Sequence, residues 1–266
     1  MYKFNQIPSE AQIRKCLRRI VFGKNLYCPN CHSRSVCVCG LRYRCRGCHG
    51  KFSLLSHTWL NNLKLPYQQF WMILWCWTTE VPVRQTVSLT KLSETTIRHW
   101  FDEFRSHLPK DQIVLERLVQ LDEAYFGGKK GRALMMAKQV KTRKLAFEVL
   151  PDTSPCREDA WGFLQAHVKP QTTLNTDGAS IYKEIGQWWP VNHQRDIHKK
   201  FEFEKTSQIE GTFGNLRTFI RRMYHHVSMD KLPGLVSEFS FRFSHPEIFE
   251  NPRCFLEITL HLVTSR

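Results

Sequence analysis

The chain has 266 residues, 42% of them hydrophobic, which is enough for a sizeable core and fits one medium domain with one or two small ones. Thirty-nine lysines and arginines against 24 aspartates and glutamates leave a net charge of +15, which points to a polyanion such as nucleic acid and away from a membrane or a small neutral substrate. The opening "MYKFNQIPSEAQIRKC" has no apolar signal region, and the richest apolar run, "FWMILWCW", is far short of the ~20 residues that span a bilayer, so a cytoplasmic protein is expected.

Residues 1–56 hold eleven lysines and arginines against one acid, Glu10, the charge pattern of a nucleic-acid-binding arm. In a reducing compartment the ten cysteines read as metal ligands or core thiols rather than disulfides. Four of them follow C-x2-C-x13-C-x2-C spacing: Cys28, Cys31, Cys45 and Cys48 form two knuckles joined by a short basic hairpin. Four thiolates satisfy one zinc ion and leave no open position, so the metal is structural and substitutes for a core this segment is too small to build. Cys37 and Cys39, between the knuckles, read as hairpin residues because the outer pairs have the better bite, and Cys16, Cys76, Cys156 and Cys254 read as core. A ribbon carrying Arg34, Arg42, Arg44 and Arg46 is a DNA-backbone reader or a protein-docking knob, and its charge favours the first.

"LPYQQFWMILWCWTTE" starts as a helix at Pro66 and is apolar on nearly every side, so its tryptophans belong to a core. In "VPVRQTVSLTKLSETTIRHWFDEFRSHL", Ser93 is an N-cap, Ile97, Trp100, Phe101 and Phe104 recur at helical spacing, and Thr95, Thr96, Arg98 and His99 face solvent. Two short helices with a tight break fit a helix-turn-helix that would place Arg98 on DNA. Plain helical packing fits as well, since Glu94, Asp102 and Glu103 dilute the positive face.

"IVLERLVQLDEAYFGG" reads as a strand closed by Gly127-Gly128, with Gln120 and Asp122 on one face and Leu121 and Glu123 on the other. "ALMMAKQV" and "KLAFEVLPD" read as a strand pair, "SPCREDAWGFLQAHVK" as a helix, and "TTLNTDGASIY" as a strand ending on Asp177-Gly178. A short helix, a fifth strand at "VNHQ" and the helix of Glu210 complete the order. That order matches the ribonuclease H-like fold, an α/β core whose mixed five-stranded sheet with flanking helices gathers carboxylates from its first strand, its fourth strand and a late helix. Asp122, Asp177 and Glu210 occupy those three places.

Three converging acids repel unless cations fill the gap, as when two Mg2+ ions about 3.5–4 Å apart serve in-line phosphoryl displacement; Mn2+ is the alternative ion. Glu210 and Arg217 lie two helical turns apart and share a face, so Arg217 would lie along an incoming phosphate backbone, with Arg221, Arg222, His225 and His226 continuing the track.

With these motifs in order, the chain resembles the DDE transposases of bacterial insertion sequences, in particular the group with an ISXO2-like catalytic domain behind an N-terminal zinc ribbon. The resemblance rests on the cysteine ribbon, "FSLLSHTWL", "LDEAYFGG", "NTDGASIY", "VNH", "IEGTFGNLR" and "EFSFRF". It implies that Asp122, Asp177 and Glu210 bind the catalytic metals, that Arg217 contacts terminal DNA, and that nicking at element ends precedes strand transfer to target DNA. It also implies double-stranded DNA as partner, a homo-oligomer on DNA, and a nucleoid-associated place in the bacterial cytoplasm. Two departures are Phe213, where tryptophan is common, and Gly214 inside the helix. The domain reading is 1–56 basic segment and ribbon, 57–110 helical DNA-binding segment, 111–245 catalytic domain and 246–266 C-terminal tail. Competing readings are a DNA-binding regulator on a retired catalytic scaffold and a structure-selective nuclease that cuts without joining.

Overall fold

A capping box opens the first helix, α1 (Glu10–Phe22): Ser9 Oγ accepts the Gln12 N–H at 3.3 Å while Gln12 Oε1 accepts the Ser9 N–H at 2.8 Å. Its buried residues, Ile13, Leu17, Val21 and Phe22, recur at helical spacing, and Gly23 ends it with a positive φ of 67°. The computed structural model describes residues 7–262 apart from 111, 129–130, 152, 196–205 and 226. The chain divides into two units, Met1–Pro109 with Glu247–Arg266, and Lys110–Pro246. No helix among the described residues is long and apolar enough to cross a membrane.

In the first unit, β1 (Val36–Cys39), β2 (Arg42–Cys45) and β3 (Lys51–Phe52) form a three-stranded antiparallel sheet. Its apolar content is slight: Tyr43 packs on Phe52, and Phe52 on Phe22 of α1. The helices α2 (Tyr67–Thr78), α3 (Val83–Thr90) and α4 (Glu94–Ser106) follow. Pro66 precedes the first residue of α2, whose N-terminal Tyr67 and Gln68 N–H groups donate to the Glu10 carboxylate at 3.1 and 2.8 Å. The one acid of the basic N-terminal stretch is thereby engaged at a helix N-terminus, where a negative charge is favoured.

Ser93 caps α4, accepting the Thr96 N–H at 3.2 Å, and Ile97, Phe101 and Phe104 are buried. Thr95 and His99 are exposed, whereas Thr96 and Arg98 are half-buried because Thr96 hydrogen-bonds Ser93 and Arg98 pairs with Glu94 at 2.8 Å. Residues beyond 246 are structured: Pro246–Phe249 is a 3-10 turn and Pro252–Thr259 is a helix, numbered α9 below. Phe249 and Phe255 close on the fully buried Trp77 at 5.4 and 5.1 Å between ring centroids, which fixes this segment in the first unit.

The second unit is built on β4 (Leu118–Phe126), β5 (Arg132–Gln139), β6 (Leu145–Val149), α5 (Arg157–His167), β7 (Thr173–Thr176), α6 (Ile185–Trp188), β8 (Asn192–Arg195), α7 (Ser207–Tyr224) and α8 (Leu232–Ser244). Its five strands lie in the order β6-β5-β4-β7-β8; the first two pairings are antiparallel, while β7 runs parallel to both β4 and β8. With its flanking helices this is the ribonuclease H-like fold. On one face Val119, Leu121, Met135 and Leu174 pack with Phe163 and Leu164 of α5 and with Tyr182. On the other, Lys138 of β5 donates to Gln208 of α7 at 2.7 Å, and Ser240 of α8 donates to Leu145 O of β6 at 3.1 Å. The buried Glu238 carboxylate joins α7 to α8 by accepting from Tyr224 at 2.8 Å and Arg242 at 3.0 Å.

Candidate metal centres

β7 stops at Thr176, and its register with β4, which sets Gln120 beside Asn175, brings Asp177 level with Asp122 when carried two residues further. Asp177 thus stands just past a strand end, its Oδ1 accepting the Ala179 N–H at 2.9 Å in an Asx turn. The loop is held from two sides: Arg195 donates to Gly178 O at 2.7 Å, and the Thr176 hydroxyl donates to Asp177 O at 2.9 Å. Strand alternation sends Asp122 and Glu123 to opposite faces of β4. Because β7 ends beside them, both reach the open edge, and carboxylate oxygens of Asp122, Glu123 and Asp177 lie within 4.8 Å of one another.

Burial pushes the Asp122 carboxyl up to about 7, and the neighbouring charges of Glu123, Asp177 and Glu210 act in the same direction. The Glu123 N–H, which donates to Asp122 Oδ1 at 2.9 Å, opposes the rise. Glu123 is raised as well, first by burial, although the Tyr182 hydroxyl donates to its Oε2 at 2.5 Å and stabilises the charge. Burial foremost holds the fully buried Tyr182 well above the usual phenol range, so it stays a donor. A cluster of hard oxygen donors in which Asp122 and Glu123 are held above the usual carboxylate range fits a divalent cation.

Glu210 lies on the exposed side of the first turn of α7, where its Oε1 accepts the Thr206 hydroxyl at 3.1 Å. It stands outside the 4.8 Å group, yet its charge reaches Asp122. Ile209, Phe213, Leu216 and Phe219 are buried, while Glu210, Gly214, Arg217 and Arg221 share the outer face. The Arg217 guanidinium lies 5.6 Å from the ring centroid of Phe126, on the strand that carries Asp122. Arg221, Arg222 and His225 are exposed beyond it, and His226 lies outside the described residues. A side-chain carbon built on Gly214 meets nothing within 4 Å, so packing does not require glycine there.

Sequence alternation alone leaves Glu123 out of the acidic group, because it looks toward the opposite face. The available signal was the Asp-Glu pair itself, two adjacent acids inside a strand where one already lacks a structural reason.

In the ribbon, Cys28 and Cys45 are buried and Cys31 and Cys48 exposed, and the four Sγ atoms lie within 4.8 Å of one another. Sγ separations of 3.6 Å (Cys28 to Cys48) and 3.5 Å (Cys31 to Cys45) are close to the roughly 3.8 Å expected of thiolates about 2.3 Å from one tetrahedral zinc. The knuckles repeat one geometry: His32 and His49, each directly after a second cysteine, both take φ of 58°. The Cys48 N–H draws the Cys45 thiol down to about 6, helped by the N–H of Gly47 and by Cys31. Cys48 has the Gly50 N–H pulling it down, but its contacts with the Cys31 and Cys28 sulfurs push it up to about 11. Four converging sulfurs at these separations suit one tetrahedral cation. Cys37 and Cys39 stand apart from this group on the hairpin.

Of the four cysteines expected in the core, Cys76 is buried and Cys16 and Cys254 are half-buried, but Cys156 is exposed because it occupies the N-cap of α5. Arg42, Arg44 and Arg46 are all exposed on the ribbon. A cleft of about 580 Å³ between α1 and α9 is lined by Lys15, Arg19, Lys24 and Arg253, the last paired with Glu257 at 2.8 Å.

Residues 114–244 match the family profile described as the ISXO2-like transposase domain. No curated protein matches the chain. Among solved structures, the cryo-electron-microscopy structure of the simian T-cell lymphotropic virus intasome in complex with PP2A regulatory subunit B56 gamma is similar, at 12% identity over 64% of this chain and 67% of that one, with a TM-score of 0.37.

Proposed function

Because residues 114–244 are an ISXO2-like transposase domain, we propose that the protein binds the ends of an insertion sequence and catalyses metal-dependent DNA cleavage and strand transfer. The observation that carries this reading is the convergence of Asp122 and Asp177 at the β4–β7 edge, with α7, which bears Glu210, tied to β4 by the Ile209 N–H on Gln120 Oε1. Asp122, Asp177 and Glu210 are the catalytic acids, and their oxygen donors suit two Mg2+ ions, or Mn2+ in their place. When bound, such ions supply charge neutralisation and Lewis-acid activation of the attacking and leaving oxygens of an in-line displacement.

The chain's own residues orient the reactants. The Ala179 and Glu123 N–H groups fix the Asp177 and Asp122 carboxylates, and Arg217, resting against Phe126, receives the DNA phosphates, with Arg221 and Arg222 next along the outer face of α7. Residues 1–56 and 57–110 hold the ends, through Arg42, Arg44 and Arg46 on a ribbon kept folded by one structural zinc and through Arg98 on α4. Residues 111–245 carry the chemistry, residues 246–266 form the C-terminal segment, and the active form is a homo-oligomer on double-stranded DNA.

The test incubates zinc-loaded protein with duplexes bearing candidate terminal inverted repeats, a target plasmid and Mg2+. Joined products support the transposase. Cutting without joining indicates a structure-selective nuclease, and binding without cutting a DNA-binding regulator.

A further inference from the structure

We propose that Glu123, positioned by Tyr182, is a third resident carboxylate ligand of the catalytic metal site, beside Asp122 and Asp177; this rests on the metal-dependent reading above. Glu123 lies on the face of β4 that also carries Leu121, which packs in the core with the fully buried Tyr182. Leaving an ionisable acid there is costly unless something specific uses it. Among the described residues its one side-chain donor is the Tyr182 hydroxyl, at 2.5 Å on Oε2, and no lysine, arginine or histidine pairs with it.

A carboxylate has about four acceptor sites, and one hydroxyl fills one of them. The groups facing the remainder are the Asp122 and Asp177 carboxyl groups, whose oxygens lie within 4.8 Å and add further acceptors on the same point. A cation completes this arrangement, and a buried core hydrogen bond alone does not. Tyr182 is therefore a positioning residue. Its ring is locked in the core, and its hydroxyl takes Oε2 and leaves Oε1 for the metal, as outer hydrogen-bond partners orient the ligands of other metal sites.

The proposal separates the roles of the acids. Asp122, Glu123 and Asp177 converge from two neighbouring strands before DNA arrives, whereas Glu210 stands on α7 with its carboxylate toward solvent and the Thr206 hydroxyl. A first ion therefore depends on Glu123 more than on Glu210.

The experiment titrates Mn2+ into the full-length, zinc-loaded protein by calorimetry in the absence of DNA, comparing the parent with Asp122→Asn, Glu123→Gln, Tyr182→Phe and Glu210→Gln, with zinc content and circular dichroism reporting folding. Glu123→Gln is expected to weaken Mn2+ binding tenfold or more, Tyr182→Phe by about tenfold, and Glu210→Gln by less than either. Parent-like affinity in Glu123→Gln, with binding lost in Asp122→Asn, overturns the proposal and leaves Glu123 a structural partner of Tyr182. If Glu123→Gln fails to fold, parent-like affinity in Tyr182→Phe overturns it equally. A parent that binds no Mn2+ sinks the underlying metal-dependent reading and the proposal with it.

Discussion

Gln120 Oε1 accepts the backbone N–H of Ile209 at 3.0 Å, so the strand that carries Asp122 also holds the first turn of the helix that carries Glu210. That N–H is shared, since it also donates to the Thr206 carbonyl at 3.1 Å in a 3-10-type bond that closes the first turn. Gln120 is buried, so Gln120→Leu removes the acceptor without opening a cavity. The expected cost is about 0.5–1.5 kcal/mol of stability from the lost hydrogen bond, since the Thr206 carbonyl still accepts this N–H, with cleavage reduced beyond what that loss explains, because α7 is released beside the site. Denaturant unfolding and single-turnover cleavage of an end-bearing duplex, run in parallel, measure the two effects.

Loss of the zinc proposed for the four-cysteine ribbon should act on binding rather than chemistry. Cys28→Ser or Cys45→Ser is expected to remove bound zinc, unfold a segment with almost no apolar core of its own, and weaken binding to end-bearing DNA. Zinc quantification and gel-shift titration check this, and cleavage forced by excess protein should still require divalent metal.

Gly214 separates softness of α7 from close approach of DNA. An alanine methyl there meets nothing within 4 Å among the described residues, so Gly214→Ala should stabilise the second unit by about 0.5–1 kcal/mol. If bare backbone between Glu210 and Arg217 is where a DNA strand lies, the stabilised variant loses DNA affinity, and Gly214→Leu loses more. Thermal unfolding and DNA titration of the same preparations give the answer.

His193 sets a pH dependence. Burial, reinforced by the charge of Arg195, lowers its ring to about 4 from an ordinary 6.5, so the folded protein keeps it neutral. The single Thr176 hydroxyl proton goes to Asp177 O, so His193 Nε2, 2.9 Å away, carries a proton and donates to Thr176. Below pH about 6.5 the unfolded chain binds a proton that the native state refuses, so this group's contribution is intact above that value and is lost as pH falls toward about 4. The stability profile of metal-free protein across that window should be shallower in His193→Asn than in the parent, as read by chemical denaturation at fixed pH values.

Much of the second unit was legible in the chain. The order of strands and helices follows from short β-branched and apolar runs separated by turn residues, and Asp177-Gly178 marks the end of β7 because the Asx turn it forms is local chemistry. The cysteine spacing is equally local, and the four thiols converge. What escaped depends on tertiary pairing. Glu123 joins Asp122 only because β7 stops at Thr176, a length that pairing with β4 and β8 decides. The short segment after residue 246 reads as a tail until Phe249 and Phe255 are seen against Trp77. Cys156, expected in the core, stands instead among Ser154, Arg157, Glu158 and Asp159 and sits at a helix N-cap on the surface.

The most direct measurement is metal-dependent cleavage of an end-bearing duplex by Asp122→Asn, Asp177→Asn and Glu210→Gln, with DNA affinity determined on the same preparations. Each substitution should abolish cleavage and joining while leaving DNA binding within a few-fold of the parent, about 1 kcal/mol or less. Parent-level cleavage by any one of the three would contradict the assignment of that acid to the metal site.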